Sequence, residues 1–247
     1  MQHFFVETSQ IDEKTIRIGG GDYTHIKQVL RMSCGEHLCV SDGCGSVYTC
    51  VIRGFEDGEV ILEIEKKEKT DAELDSKIFL FQGIPKKDKM ELIVQKSVEL
   101  GVNTLIPVLM KRSIPVLDEK KKSDRVKRWQ EIANAAAKQS GRGILPKVNE
   151  IISFSEAIEC AKTLDVVLIP YELDRDMKAT ARIISSLKCG QTIGIFIGPE
   201  GGFEKSELDS VLDIGGKSIS LGRRILRTET AAITILSILM MRLEANL

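Results

Sequence analysis

The 247-residue chain has no excess of positive charge, because 35 lysine and arginine residues stand against 36 aspartate and glutamate residues. Any nucleic-acid-binding surface therefore has to be local rather than global. The chain also lacks a long hydrophobic run, since the longest, Ala231–Met241, is too short to cross a bilayer. The amino terminus shows no basic segment followed by an apolar one, so we predict a cytoplasmic protein without a signal peptide or a membrane-spanning segment.

Several motifs of common enzyme classes are absent. There is no G-x-x-x-x-G-K-[ST] loop and no G-x-G-x-x-G fingerprint, which disfavours nucleotide triphosphates and dinucleotides as ligands. Neither an H-E-x-x-H zinc motif nor a G-x-S-x-G nucleophile elbow occurs. Four of the six cysteines lie in the first third around His37, but none forms a C-x-x-C pair. We therefore favour free thiols over a zinc site and predict no metal.

The first third of the chain has the pattern of a small β structure. The predicted strands are His37–Ser41, Ser46–Arg53 and Val60–Lys66. A short helix is predicted over residues Asp22–Arg31, with Asp22 as its N-cap. The charged run Glu63–Asp75 is typical of a strand end that passes into a solvated linker. Several short strands joined by tight turns favour a small barrel.

Beyond Asp75, predicted strands alternate with predicted helices, which is the pattern of a parallel α/β sheet. The predicted strands are Lys77–Ile84, Leu105–Met110, Lys147–Ile151, Asp165–Pro170, Ile193–Ile197 and Lys217–Leu221. The predicted helices are Asp88–Leu100, Asp124–Ser140, Ser155–Thr163, Asp176–Leu187, Glu204–Leu212 and Thr228–Leu243. Asp88 is the expected N-cap of the first of these helices, with Glu91 three residues further on.

Three loops follow the carboxyl ends of predicted strands, where parallel sheets bind their ligands. They are Pro170–Glu172, Gly198–Gly202 and Gly222–Arg227. Glycines allow the backbone to approach a flat ligand and to present its N–H and C=O groups directly, which suits a purine edge. Apolar walls would come from Ile197, Leu221, Ile225 and Leu226. By composition alone, Gly198–Gly202 is equally consistent with an ordinary turn.

Two of these loops lie in segments that resemble a known family. Ile197–Phe203 and Leu221–Ala231 resemble the signature motifs of the small-subunit (16S) ribosomal RNA uridine N3-methyltransferases, within the SPOUT superfamily of knotted methyltransferases. The segments Phe81–Val102, Gln139–Arg142 and His25–Arg31 are similar to other parts of the same family. The resemblance covers nearly the whole chain.

The resemblance implies a fold, a cofactor and partners. The implied fold is a PUA-like β-barrel at residues 1–72, followed at residues 73–247 by a trefoil-knotted SPOUT methyltransferase domain of the α/β class with a parallel sheet. The implied working form is a homodimer that acts on small-subunit ribosomal RNA or on the assembled small ribosomal subunit. The implied cofactor is S-adenosylmethionine. The residues expected to bind it are Pro170, Tyr171, Glu172, Ile197, Gly198, Pro199, Glu200, Gly201, Gly202, Leu221, Gly222, Ile225, Leu226 and Thr230.

Methylation at uracil N3 requires that N3 lose its proton, and two routes are open. A carboxylate base could accept the proton, with Glu229 or Glu200 as the candidates. Alternatively, Arg224 and Arg227 could stabilise the uracil anion at its carbonyl oxygens. We favour Arg227 as the main catalytic residue. Glu229 lies in the first turn of the last predicted helix, where the helix dipole stabilises a carboxylate whatever its function, and we favour that structural role.

Local basic residues are the expected RNA contacts. The segment Lys86–Lys89 is one basic patch, whereas the run Lys120–Lys122 is typical of an ordinary solvated face. The residues predicted to contact RNA are His25, Arg31, Lys86, Lys111, Arg112, Lys138 and Arg142. His25 is equally consistent with a packing residue on its helix.

Two other functions remain open at this point. The first is a ribose 2′-O-methyltransferase of the same superfamily. The second is a non-enzymatic RNA-binding assembly factor that has kept the knotted fold. The resemblance in Gly198–Gly202 and Leu221–Thr230 argues against the loss of cofactor binding.

Overall fold

The computed structural model describes residues 1–86, 88–113 and 118–245. The chain divides into two compact units. The first contains Met1–Glu73 together with Ala137–Leu145, and the second contains Leu74–Ala136 together with Pro146–Leu247. The sequence predicts a first domain of residues 1–72 and so does not assign Ala137–Leu145 to it. Sequence patterns cannot show that a distant segment folds onto an earlier unit.

The first unit is built on a five-stranded sheet, as far as the described residues show. Its strands are β1 (His3–Phe5), β2 (Thr15–Ile18), β3 (His37–Ser41), β4 (Ser46–Glu56) and β5 (Glu59–Lys69). Their order is β1-β3-β4-β5-β2, with β1 parallel to β3 and the other pairs antiparallel. Alternate residues such as Ile16, Leu38 and Leu62 are fully buried and form one hydrophobic core.

The sequence predicts β3 correctly but misses two strands of this sheet. Strands β1 and β2 contain three and four residues, which is too short to show a period of two. The charged run Glu63–Asp75 contains more strand than predicted, since β5 continues to Lys69, which pairs with Ser46. Its charged side chains are exposed, so they are compatible with a strand and do not mark a linker before residue 70.

The predicted helix of the first unit begins two residues earlier than expected. Helix α1 (Gly20–Thr24) has Gly19 as its N-cap, and Asp22 lies inside the first turn. A π-helical turn, His25–Val29, follows directly. Arg31 then adopts a positive φ of 55°, which ends the helical segment.

A buried ion pair within the first unit fixes the segment after Gly141. Arg142 is only 3% exposed, and its guanidinium binds the Glu73 carboxylate through both Nε and Nη2. The same carboxylate accepts hydrogen bonds from the backbone amides of Gly143 and Ile144, at 3.0 and 3.1 Å. The predicted RNA contact at Arg142 is therefore corrected to a structural role, because its charged end is buried and already bound.

The second unit is built on a parallel sheet. Its strands in the described residues are β6 (Lys77–Gly83), β7 (Thr104–Leu109), β8 (Lys147–Val148), β9 (Ile152–Ser153), β10 (Val166–Pro170), β11 (Thr192–Ile197) and β12 (Lys217–Ile219). The order is β12-β10-β11-β6-β7-β8, and β9 also pairs with β7. At its centre, the rings of Phe81 and Phe196 on neighbouring strands stack with centroids 4.5 Å apart. The predicted parallel α/β sheet is therefore confirmed.

The helices that begin in the second unit follow the predicted order. They are α2 (Lys89–Glu99), α3 (Glu119–Ser140), α4 (Phe154–Ala161), α5 (Met177–Ser185), α6 (Lys205–Asp213) and α7 (Thr228–Glu244). The last residues of α3, from Ala137 onward, belong to the first unit. Helix α3 begins five residues before the predicted start, so Lys120–Lys122 lie on a helix. Asp88 is the N-cap of α2 but makes no capping bond from its side chain, because its backbone is not in the extended conformation that capping requires.

We predict that Arg142→Met strongly destabilises the first unit, because it leaves the buried Glu73 carboxylate without its cation. The expected loss in the free energy of unfolding is about 3 kcal/mol, the scale for breaking one side of a buried ion pair. Native-state hydrogen exchange at the amides of β3 and β4 measures it. Arg17→Met is the matched control: Arg17 pairs with Glu59 on the surface, and its loss costs under about 1 kcal/mol. Equal effects of the two substitutions would contradict the structural role of Arg142.

Candidate functional site

A cavity of about 420 Å³ lies at the carboxyl ends of β10, β11 and β12. Strand β10 lies between β12 and β11 in the sheet, so the loops that follow these strands are brought side by side. The cavity is lined by Lys89, Pro170, Tyr171, Glu172, Ile197, Gly198, Pro199, Glu200, Gly201, Gly202, Phe203, Leu221, Gly222, Arg224, Ile225, Leu226, Arg227, Thr228 and Ala231. All three predicted loops therefore contribute to one cavity.

The loop after β11 offers backbone rather than side chains to this cavity. A Cβ atom on Gly198 would lie 3.2 Å from the carbonyl carbon of Gly202, which is closer than most Cβ contacts, so a side chain there would push the Gly202 backbone outward. Gly202 has a φ of +68° and its amide donates to the carbonyl oxygen of Pro199 at 2.9 Å. Glycine is favoured at both positions, and the backbone itself forms the wall.

A chain of hydrogen bonds ties this loop to the start of α7. The Thr228 hydroxyl donates to the carbonyl oxygen of Gly198 at 2.7 Å. The same hydroxyl accepts from Nε2 of Gln82, at 2.9 Å, and Gln82 is fully buried at the end of β6. Thr228 thus joins the glycine loop to the segment that carries Arg224 and Arg227. Thr228 and Gln82 are not among the predicted site residues, although Thr228 lies within the motif Leu221–Ala231.

Arg112 holds the other side of the glycine loop. Its Nη1 donates to the carbonyl oxygen of Gly201 at 2.7 Å, and its Nε donates to Glu204 at 2.8 Å. The hydrogen bond to Glu204 raises the pKa of Arg112, and Arg112 in turn lowers the pKa of the Glu204 carboxyl. Lys111 is also engaged, with its Nζ 2.9 Å from the Ser206 hydroxyl. The structure therefore gives both predicted RNA contacts a role in bracing this loop and α6.

Helix geometry decides which residues at the start of α7 reach the cavity. Arg227 is the N-cap, and Arg227, Thr228 and Ala231 line the cavity. Thr228 and Ala231 are three residues apart and share one face of the helix. Glu229 and Thr230 do not line the cavity. The predicted cofactor contact at Thr230 is corrected on this ground, because its side chain is exposed and lies off the cavity wall.

Lys89 connects two carboxylates at the edge of the cavity. Its Nζ lies 2.9 Å from Oε1 of Glu200 and 3.7 Å from Oε2 of Glu229. The Glu200 carboxylate also accepts the backbone amide of Lys86, at 3.1 and 3.2 Å. Burial alone would raise the pKa of Glu200, but Lys89 and the amide of Lys86 outweigh it and hold that pKa below its ordinary value. Glu200 is therefore anionic and fully engaged, which makes it a poor general base.

The loop after β12 presents two arginines without acidic partners. Among the described residues, neither Arg224 nor Arg227 forms an ion pair, and both are exposed side chains at the cavity wall. Ile225 between them is 87% exposed. The loop therefore offers two cations that can receive negative charge from a ligand.

The structure brings together every predicted cofactor residue except Thr230, and both predicted catalytic arginines. Lys89, Phe203, Thr228 and Ala231 line the cavity as well and were not predicted to do so. Lys89 appeared in the sequence only as part of a basic patch. Three-dimensional proximity between α2 and the glycine loop, which no local pattern encodes, places it here.

The other residues predicted to contact RNA differ in their exposure and in whether they already bind another residue. His25 is exposed, and its ring packs edge-on against Phe4 in the first unit. In that unit Lys138 is bound to Asp22 at 3.0 Å, whereas Arg31 is exposed. In the second unit the side chain of Lys86 is exposed, and its neighbour Lys87 lies outside the described residues.

Metal-binding clusters and membrane-spanning helices are both absent from the described residues. Across residues 1–86, 88–113 and 118–245, no group of three or more His, Cys, Asp and Glu side chains is arranged to hold a metal ion. No helix within the same ranges has the length and apolar character needed to cross a membrane.

We predict that Thr228→Val loosens the glycine loop. The carbonyl of Gly198 would lose its donor and Gln82 one of its acceptors, while the shape of the side chain is kept. Exchange of the Gly202 amide, which is bound to Pro199, should then accelerate about ten-fold, the effect of one lost hydrogen bond. Thr228→Ser keeps the hydroxyl and is the control. An unchanged exchange rate in the valine variant would show that the tie does not hold the loop.

Comparison with known proteins identifies the family of both units. Residues 72–240 match the RNA methyltransferase domain family, and residues 18–65 match the RNA methyltransferase PUA domain family. The chain is 35% identical to ribosomal RNA small subunit methyltransferase E of Bacillus subtilis (strain 168), over 96% of this chain and 95% of the relative.

Solved structures agree with this similarity. Ribosomal RNA small subunit methyltransferase E of Neisseria gonorrhoeae, bound to S-adenosylmethionine, superimposes with a TM-score of 0.82 at 29% identity and covers 98% of this chain and 97% of its own. A Legionella pneumophila protein in complex with the same cofactor gives a TM-score of 0.83 at 29% identity, with 96% of each chain covered. From its domains, its cavity and these relatives, the chain belongs to the ribosomal RNA small subunit methyltransferase E family.

Proposed function

We propose that this protein transfers a methyl group from S-adenosylmethionine to N3 of a specific uridine in small-subunit (16S) ribosomal RNA. Its family membership and the names of its relatives support the RNA substrate and the reaction class. The two relatives whose structures contain S-adenosylmethionine support the cofactor. The observation that carries the proposal is one cavity that combines a backbone-walled glycine loop with two unpaired arginines, Arg224 and Arg227.

The residues of the cavity fit S-adenosylmethionine. Gly198–Gly202 offers backbone groups at close range, since a Cβ on Gly198 would lie only 3.2 Å from the Gly202 backbone. Leu221, Ile225 and Leu226 supply the apolar surface on which a purine can pack, and the volume lies in the range of small-ligand sites. When bound, the cofactor supplies an activated methyl group on a sulfonium. The protein then has to position the target base and handle its N3 proton.

Arg224 and Arg227 are the residues we assign to the uracil. Because they have no acidic partner among the described residues, their guanidinium groups are available to donate to the uracil carbonyl oxygens. These donors stabilise the negative charge that develops as N3 loses its proton. Glu229 is a weaker candidate for the base, since it lies off the cavity wall and next to Lys89.

Further features of the protein belong to the same proposal. We propose that the sheet of the first unit closes as a PUA-like barrel and that the second unit carries the trefoil knot of SPOUT methyltransferases. We also propose a cytoplasmic homodimer. Leu92 on α2 and Met241 on α7 are exposed apolar residues on helices that pack against each other, and they would suit a subunit interface.

The proposed RNA contacts are the exposed residues His25, Arg31 and Lys86. Lys111, Arg112 and Lys138 would join them where RNA binding displaces their present partners.

Analysis of the product nucleoside tests the reaction. The protein is incubated with methyl-labelled S-adenosylmethionine and small ribosomal subunits that lack the modification, and the RNA is digested. We expect labelled N3-methyluridine. A 2′-O-methylated nucleoside would replace the proposal with ribose methylation, and the absence of labelled RNA would favour a non-enzymatic assembly factor.

We predict that Arg227→Ala lowers methyl transfer by about 10²- to 10³-fold, the scale that goes with losing one donor to a developing oxyanion. Binding of S-adenosylmethionine, measured by calorimetry, should change little, because the backbone loop and the apolar wall are intact. Arg223→Ala is the matched control, since Arg223 is exposed in the same loop but does not line the cavity. Full activity of the Arg227 variant would refute the assigned role.

A further inference from the structure

We propose that Lys89 is a positioning residue that occupies the carboxylates of Glu200 and Glu229 and so leaves Arg224 and Arg227 free for the RNA substrate. This inference rests on the proposed function. It gives Lys89 a task different from the phosphate contact that its place in a basic patch suggests. It also explains how unpaired arginines persist in a cavity that contains acidic residues.

The first observation is the geometry around the Lys89 ammonium. Its Nζ is 2.9 Å from Glu200 and 3.7 Å from Glu229, and the side chains of the three residues are 30%, 26% and 15% exposed. Lys89 is in the first turn of α2, Glu200 in the loop after β11 and Glu229 in the first turn of α7. One cation therefore pairs closely with Glu200 and lies within ion-pair distance of Glu229, whose buried Oε2 has no hydrogen-bond partner among the described residues.

The second observation is the distribution of charge around the cavity. Two carboxylates, Glu172 and Glu200, and three cations, Lys89, Arg224 and Arg227, line it. A planar guanidinium is a strong bidentate partner for a carboxylate, so an arginine near a free carboxylate is expected to pair with it. Both arginines nonetheless lack acidic partners among the residues described.

Each of the two carboxylates that line the cavity has its own surroundings. Both oxygens of Glu200 are held by Lys89 and the backbone amide of Lys86. Glu172 lies beside Gly202, and its Oε1 would be 3.0 Å from a Cβ added to that glycine. Its negative charge helps to raise the pKa of Arg112. Lys89 is thus the cation that separates Glu200 and Glu229 from the arginines of the same cavity.

Removal of the ammonium should redirect these carboxylates. In Lys89→Met the aliphatic part of the side chain is kept, but Glu200 and Glu229 lose their cation in a site of limited solvent access. The other cations that line the cavity are Arg224 and Arg227. Pairing with them would withdraw the donors that the uracil needs. The defect should therefore appear in the chemical step and in RNA binding, not in the binding of S-adenosylmethionine.

The test compares the wild type with four variants, K89M, K89R, the double variant E200Q/E229Q and the triple variant K89M/E200Q/E229Q. Methyl transfer to unmodified small subunits gives kcat and KM, and filter binding gives the affinity for unmodified 16S RNA. We expect K89M to lower kcat by about 10-fold or more, the scale for truncating one partner of a partly buried charge pair. K89R should retain most of the activity. Removing the Lys89 ammonium from E200Q/E229Q should lower kcat much less than removing it from the wild type, because neutral amides do not capture the arginines.

The outcomes separate the possible roles of Lys89. If the loss of rate from E200Q/E229Q to the triple variant equals the loss from the wild type to K89M, Lys89 contacts the RNA itself or only supports the fold, and the inference is overturned. An unimpaired K89M variant overturns it as well. An inactive wild type would count against the proposed function instead, and the RNA affinities would still decide whether the amide substitutions reverse the effect of K89M.

Discussion

The hydrogen bond from the Thr228 hydroxyl to the carbonyl oxygen of Gly198 joins the two loops on which the site depends. One loop offers backbone to a ligand and the other carries the two unpaired arginines. The tie fixes the loops relative to each other beyond what the sheet does, because each loop leaves the sheet at a different strand. Gln82 binds the same hydroxyl, and Arg112 binds the carbonyl oxygen of Gly201. These two side chains support the cavity wall without lining the cavity. Such preorganisation is what a transfer reaction with an activated donor requires from a protein.

The contacts of each basic residue, and not the overall composition, decide whether its charge is available to a ligand. Several basic residues that the sequence suggests as RNA contacts prove to be bound to acids or carbonyl groups, as in Arg142 with Glu73 and Arg112 with Glu204. Arg224 and Arg227 are the contrasting case, since they lie at a cavity and have no acidic partner in the described part of the chain. A net charge near zero is therefore compatible with a protein whose relatives act on RNA, provided that a few cations remain free at the right place.

Much of the second unit could be predicted, because long amphipathic helices and apolar strands have strong periodic signals. Strand β11 and the loop Gly198–Gly202 were located from such signals together with family resemblance. The short strands β1 and β2 of the first unit were missed because three or four residues carry too little periodicity. Thr230 was misassigned because its motif does not reveal which face of α7 meets the cavity. Lys89 was misread because its partners are more than a hundred residues away in the chain.

The central claim is that the two loops form one S-adenosylmethionine site. It is tested most directly by titrating the isotope-labelled protein with the cofactor and following the amide signals by NMR. The account predicts chemical-shift changes at Gly201, Gly202, Gly222 and Leu226, with little change in strands β3 and β4 of the first unit. Binding whose shift changes fall outside both loops, or an absence of binding at millimolar cofactor, would contradict it.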